Sequence, residues 1–107
     1  YKGSVPNEIH SSLHFPGNFA GDAVTETTTI ENAETEFHVY SVEWTEESIV
    51  FLVDNIAYHT FENTADTPFH KDFFLILNVA MGGTFGGAID PGFTESAMVV
   101  DYVRVYR

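Results

Sequence analysis

Hydrophobic and polar residues alternate with a period of two along most of the chain, and no helical period is sustained. Glu8–Phe15 reads as a strand. Ile9, Leu13 and Phe15 point to one side, and His10, Ser12 and His14 to the other. Pro16, Gly17 and Asn18 break it. Asp22–Glu31 is Thr-rich and alternating, as expected of a solvated strand near a sheet edge. Phe37–Thr45 is a strong strand, with Phe37, Val39, Ser41 and Glu43 on one face and His38, Tyr40, Val42 and Trp44 on the other. Ser48–Val53 is apolar on both faces and belongs in the middle of a sheet. Asp54-Asn55 is a two-residue turn, and Ile56–Glu62 is the returning strand of the hairpin. A polar loop, Asn63–Pro68, leads to the most apolar stretch, Asp72–Ala80, read as a strand. A Gly-rich loop over Met81–Gly92 and a last alternating strand over Ala97–Arg107 complete the pattern. About seven short strands without a helix of note predict an all-β sandwich or jelly roll.

Composition narrows the function classes. Sixteen acidic residues against four basic ones give a formal net charge of -12. That balance supplies no basic face for nucleic-acid phosphates and would be repelled by an anionic membrane surface, so neither is an expected partner. No apolar run approaches the roughly 18–20 residues needed to span a bilayer. The absence of cysteine excludes disulfides and Cys-based zinc sites. With 44% hydrophobic and 15% aromatic residues, the chain is rich enough to bury a core.

Candidate chemistry is sparse. His10 and His14 share a strand face but lie roughly 13 Å apart there, too far to chelate one ion. His38, His59 and His70 fall on three separate elements and read as surface or loop residues. Ser11 and Ser12 lack a Gly-x-Ser-x-Gly elbow. Met81-Gly-Gly-Thr-Phe-Gly-Gly has neither the Lys nor the following helix of a phosphate loop; it is either a tightly turning loop or one whose backbone approaches a ligand. Glu46, Glu47 and Asp54 sit at turns, and Glu43 on a strand reads as structural. The polar face of His10, Ser12 and His14 suits a carbohydrate cleft, where hydrogen-bonding side chains work beside aromatic platforms. Asn78, at the end of an apolar stretch, either satisfies backbone groups or points into such a groove.

Several segments taken in order resemble glycoside hydrolase family 16, and within it the bacterial laminarinases, which are endo-β-1,3-glucanases. They are Phe37-His-Val-Tyr-Ser-Val-Glu-Trp-Thr45, Ile49-Val-Phe-Leu-Val-Asp-Asn55, Tyr58-His-Thr-Phe61, Pro68-Phe69, Phe73-Phe-Leu-Ile-Leu-Asn-Val-Ala-Met-Gly-Gly83 and Val100-Asp-Tyr-Val-Arg-Val-Tyr106. Ile9-His-Ser-Ser-Leu-His14 is similar to the family strand that ends in a cleft-facing His. The resemblance implies a concanavalin-like β-jelly roll of two curved antiparallel sheets whose concave face grips a polysaccharide. It implies a substrate surface containing Ser12, His14, Asn78 and Phe85, the last standing near the position where many laminarinases carry Trp. It also implies a structural Ca²⁺ at Asp101, and no catalytic cofactor.

The family's Glu-x-Asp-x-x-Glu motif, which carries its nucleophile and its general acid/base, does not occur in these residues. The resemblance places its final Glu just before Tyr1. Residues 1–107 are therefore expected to be the C-terminal portion of a single catalytic domain, contributing the cleft, with no catalytic residue of their own. The expected partners are β-glucan and the missing N-terminal half, and the expected location is outside a bacterial cell, secreted or at its surface. The competing readings are a non-catalytic carbohydrate-binding sandwich module and an acidic interaction domain. A half sandwich leaves unpaired edges and an uncovered apolar face. The isolated 107-residue chain is accordingly expected to fold poorly or aggregate; a monomeric, cooperative thermal transition would contradict this.

Overall fold

The computed structural model describes residues Tyr1–Arg107 in full. It holds five strands: β1 (Glu8–Leu13), β2 (Val24–Thr29), β3 (Tyr40–Trp44), β4 (Ser48–Val53) and β5 (Ile56–Glu62). They form two antiparallel sheets, β1-β2 and β3-β4-β5, in agreement with an all-β partial jelly roll. A one-turn 3₁₀ helix spans Ala20–Asp22, and a single helical turn, α1, spans Gly83–Gly86. No helix is long and apolar enough to cross a membrane. The chain divides into two compact parts, Tyr1–Phe73 and Phe74–Arg107.

In the first part the alternation of β1 translates directly into burial. Ile9, Ser11 and Leu13 are buried, whereas Ser12 is exposed. β2 pairs only with β1 and is an edge strand, as its Thr-rich sequence predicts. β4 is the central strand of its sheet, with Ile49 and Val53 buried. The β3–β4 turn is held by Thr45, whose Oγ1 accepts from the Glu47 and Ser48 amides at 3.2 and 2.9 Å. The β4–β5 turn has Asp54 at φ 50° and Asn55 at φ 65°, the left-handed pair that matches strand twist in a two-residue hairpin.

Asp54 also anchors the entry to β3. Its Oδ1 accepts from the Val39 amide at 2.9 Å, and its Oδ2 lies 2.7 Å from His38 Nδ1. The hydrogen bond to Asp54 holds the His38 imidazole above its usual pKa, helped by the Asn32 carbonyl and by Glu36. The same bond, with the Val39 amide, holds the Asp54 carboxyl below the ordinary carboxylate range.

The core gathers Leu13, Ile49 and Phe69, with Phe15, Val24, Phe51 and Phe61 packed around them. Phe15, Phe61 and Phe69 meet edge to face at centroid distances of 5.5–5.8 Å; each such pair contributes about 0.5–1.5 kcal/mol beyond its buried area. Phe69 arrives on the loop after β5, which is built on the buried Asn63. Asn63 Nδ2 donates to the Thr45 carbonyl at 3.0 Å and its Oδ1 accepts from Thr67 Oγ1 at 2.6 Å. Trp44 Nε1 donates to the Phe69 carbonyl at 2.9 Å.

Two expectations are corrected. His59 is not a surface residue: it is 5% exposed, on β5, with Nδ1 2.7 Å from the Oγ of Ser11 and its ring stacked on Phe51. An uninterrupted hairpin from the 54–55 turn would set Tyr58 opposite Phe51. Instead the register shifts between Phe51 and Leu52, so that His59 faces Phe51 while Ala57 faces Leu52. One extra residue in β5 turns His59 to the core face. Burial pushes the His59 pKa down, with nearby Glu26 opposing in part.

The second correction concerns the last two expected strands. Asp72–Ala80 and Ala97–Arg107 form no strand. A strand exists only as one side of a ladder, and neither segment is part of one. Their apolar side chains are open: Phe74 is 84% exposed, Ile76 70% and Val105 73%. The Gly-rich loop between them does turn tightly. Gly82, Gly83 and Gly87 take φ of 72–79°, and the Gly87 amide closes α1 on the Gly83 carbonyl at 3.0 Å. β3 is also under-covered: Tyr40, Val42 and Trp44 pair with Val53, Phe51 and Ile49 on the core face, yet remain 43–54% exposed.

Phe69→Ala is expected to lower the free energy of local opening by about 3–5 kcal/mol, and Asn63→Ala by about 1–3 kcal/mol. Both should appear as faster amide hydrogen exchange in β4, measured with the chain joined to the expected N-terminal half. In an NMR titration of the same joined protein His38 is expected to reach its midpoint above 6.5 and His59 below it, and Asp54→Asn should bring His38 back toward 6.5. The stability effects have opposite signs. The His38 contribution is full below 6.5 and fades as pH rises through its folded midpoint. The His59 contribution is present above 6.5 and fades as pH falls through its folded midpoint. Asp54 adds a contribution above about 3.8 that is lost as its carboxyl protonates.

Candidate functional site

The polar residues singled out on β1 stand on its outward face. β1 pairs with β2 in the register His10↔Thr27 and Ser12↔Thr25, so the side chains of each pair project on the same side of the ribbon. Ser12 Oγ and Thr25 Oγ1 are 2.8 Å apart, and both residues are exposed. Glu8 Oε1 lies 2.9 Å from His10 Nε2, which is expected of residues two apart on one strand face. His14, just beyond β1, is exposed. This surface offers hydroxyls and imidazoles rather than a cluster of charges.

The inward face of β1 carries another polar pair, which the sequence did not flag. Ser11 Oγ lies 3.3 Å from the Glu26 carbonyl and 2.7 Å from His59 Nδ1. With the hydroxyl proton given to the carbonyl, His59 Nδ1–H donates to Ser11 Oγ. The pair resembles a nucleophile and its base only in distance. Ser11 is 3% exposed, His59 sits against Phe51, and no substrate reaches either. Its work is to satisfy polar groups where side chains of the two sheets meet. The signal that could have found it is the small polar Ser11 at an inward position of a strand whose neighbours Ile9 and Leu13 are apolar.

The other expected site residues belong to the second part. Asn78 is exposed in the apolar stretch. Phe85 sits within α1 and is 55% exposed. Asp101 is exposed near the end of the chain. No group of three or more His, Asp or Glu side chains converges on a metal position, and calcium takes six to eight oxygens.

Residues 1–104 match the model of Glycosyl hydrolases family 16. The chain is 37% identical to a beta-glucanase of Rhodothermus marinus, over 98% of this chain and 41% of that protein. It is 33% identical to glucan endo-1,3-beta-glucosidase A1 of Niallia circulans, over 99% of this chain and 18% of the relative. It is 32% identical to a glucan endo-1,3-beta-glucosidase of Cryptopygus antarcticus, over 97% and 46%. The chain therefore spans less than half the length of these relatives. No solved structure matches it. The profile match across nearly the whole chain, on antiparallel sheets with one polar strand face, establishes that this chain belongs to glycosyl hydrolase family 16.

Proposed function

We propose that these residues form the substrate-cleft portion of a retaining endo-glycosidase that hydrolyses β-1,3-glucan such as laminarin. The observation that carries this reading is the split character of β1: Ile9, Ser11 and Leu13 buried inward, and His10, Ser12 and then His14 turned outward beside the hydroxyls of β2. Family membership and the names of the glucan-cleaving relatives support the choice of polymer. Localisation outside the cell follows from the size of such a substrate.

In this reading Ser12 and His14 donate and accept hydrogen bonds with sugar hydroxyls, Asn78 adds an amide that can do both, and Phe85 offers a ring to a sugar face. Bond cleavage requires two carboxylates about 5 Å apart. One attacks the anomeric carbon while the other protonates the departing glycosidic oxygen; the second then deprotonates a water that attacks the same carbon, displacing the first carboxylate and freeing the sugar. The Glu-x-Asp-x-x-Glu pattern is absent from these 107 residues, so the carboxylates come from polypeptide beyond them. The open apolar surfaces of β3 and of Phe74–Arg107 support the same conclusion, because a jelly roll would cover them. A structural calcium ion at Asp101 would complete its shell from carbonyls or from that other polypeptide, and would take no part in cleavage.

The test is reducing-sugar release from laminarin. The 107-residue chain alone is expected to be inactive. Joined to a family 16 segment carrying Glu-x-Asp-x-x-Glu, it is expected to be active, and activity should fall by several orders of magnitude when either Glu is made Gln. Hydrolysis by the chain alone would overturn the assignment of the carboxylates. Laminarin binding without turnover in the joined protein would favour a carbohydrate-binding module.

A further inference from the structure

We propose that Thr25 and Thr27 of β2 extend the polysaccharide-contact surface across the edge strand, and that this hydroxyl-lined ribbon accepts uncharged glycans while rejecting sulfated ones. The proposal rests on the glucan reading above and adds residues and a charge preference to it.

The register supplies the first argument. Thr25 lies opposite Ser12 and Thr27 opposite His10, all on the outward face. Alternate residues repeat every 6.6–6.8 Å along a strand and neighbouring strands are about 4.8 Å apart. The four side chains therefore make a small two-dimensional grid of polar groups. Both threonines are exposed, and β2 has no strand on its far side.

The chemistry of the grid supplies the second argument. The Ser12 and Thr25 hydroxyls at 2.8 Å satisfy one donor and one acceptor between them. One proton and several lone pairs are left for a ligand. Groups that donate and accept equally match sugar hydroxyls, which do the same.

Charge supplies the third. Recognition of sulfate calls for Arg or Lys. The four basic residues of the chain are Lys2, Lys71, Arg104 and Arg107, none of them on β1 or β2. The one imidazole within the ribbon, His10, already faces Glu8 at 2.9 Å. A chain with a net charge of -12 repels a polyanion further.

Replacing both threonines by valine separates this role from strand propensity, because Val keeps the β-branched shape and loses only the hydroxyl. The experiment is affinity electrophoresis of the joined protein through gels containing laminarin or a sulfated galactan, κ-carrageenan, at matched ionic strength. Laminarin is expected to retard the wild type and carrageenan to leave it unretarded. The T25V/T27V variant is expected to bind laminarin about tenfold more weakly. Thr60→Val, an exposed threonine on β5, should change nothing. Equal retardation of wild type and T25V/T27V by laminarin would overturn the role of the threonines while leaving the glucan reading intact. Retardation of the wild type by carrageenan would overturn the charge preference. A wild type that ignores laminarin would overturn the glucan reading and this inference together.

Discussion

A β-strand is never complete by itself. Its amide and carbonyl groups need a neighbour in the ladder, and its apolar face needs a layer to cover it. Where this chain meets both demands internally, it is ordered in the usual way: β4 has a partner on each side, and Ile49 disappears beneath Leu13 and Phe69. Where it meets neither, as in Phe74–Leu77, equally apolar sequence forms no strand and stays open. β3 is the intermediate case, fully paired with β4 but poorly covered.

The same constraint explains how the polar face proposed for glycan contact arises. β1 is buried on one side because Leu13 joins the aromatic cluster around Phe69. Burial on that side leaves the alternate residues outside, and strand geometry then aligns them with the alternate residues of β2. The polar character of the outer face is thus a consequence of packing on the inner one. A residue such as Asn63, far from that face in sequence, contributes by holding the loop that delivers Phe69.

Register governs what becomes polar core. The one-residue offset within β5 places His59 beside Ser11 rather than in solvent. Burial disfavours the charged form of that imidazole, whereas His38, at the mouth of the hairpin, is drawn toward its charged form by Asp54. The contributions of these two histidines to stability therefore change with pH in opposite senses, and only their surroundings distinguish them.

Much of the fold and part of the candidate site were legible in the residues alone. The period of two, the Asp54-Asn55 turn and the apolar run of β4 determined the hairpin, because those signals depend on neighbours in sequence. The outward placement of Ser12 followed from strand parity, and family membership was legible in the order of segments from Phe37 onward. Tertiary structure alone decided the burial of His59, because a bulge changes parity without marking the sequence. It also decided which apolar runs became strands: Phe73–Leu77 has the composition of a buried strand, but composition cannot supply the partner that a ladder requires.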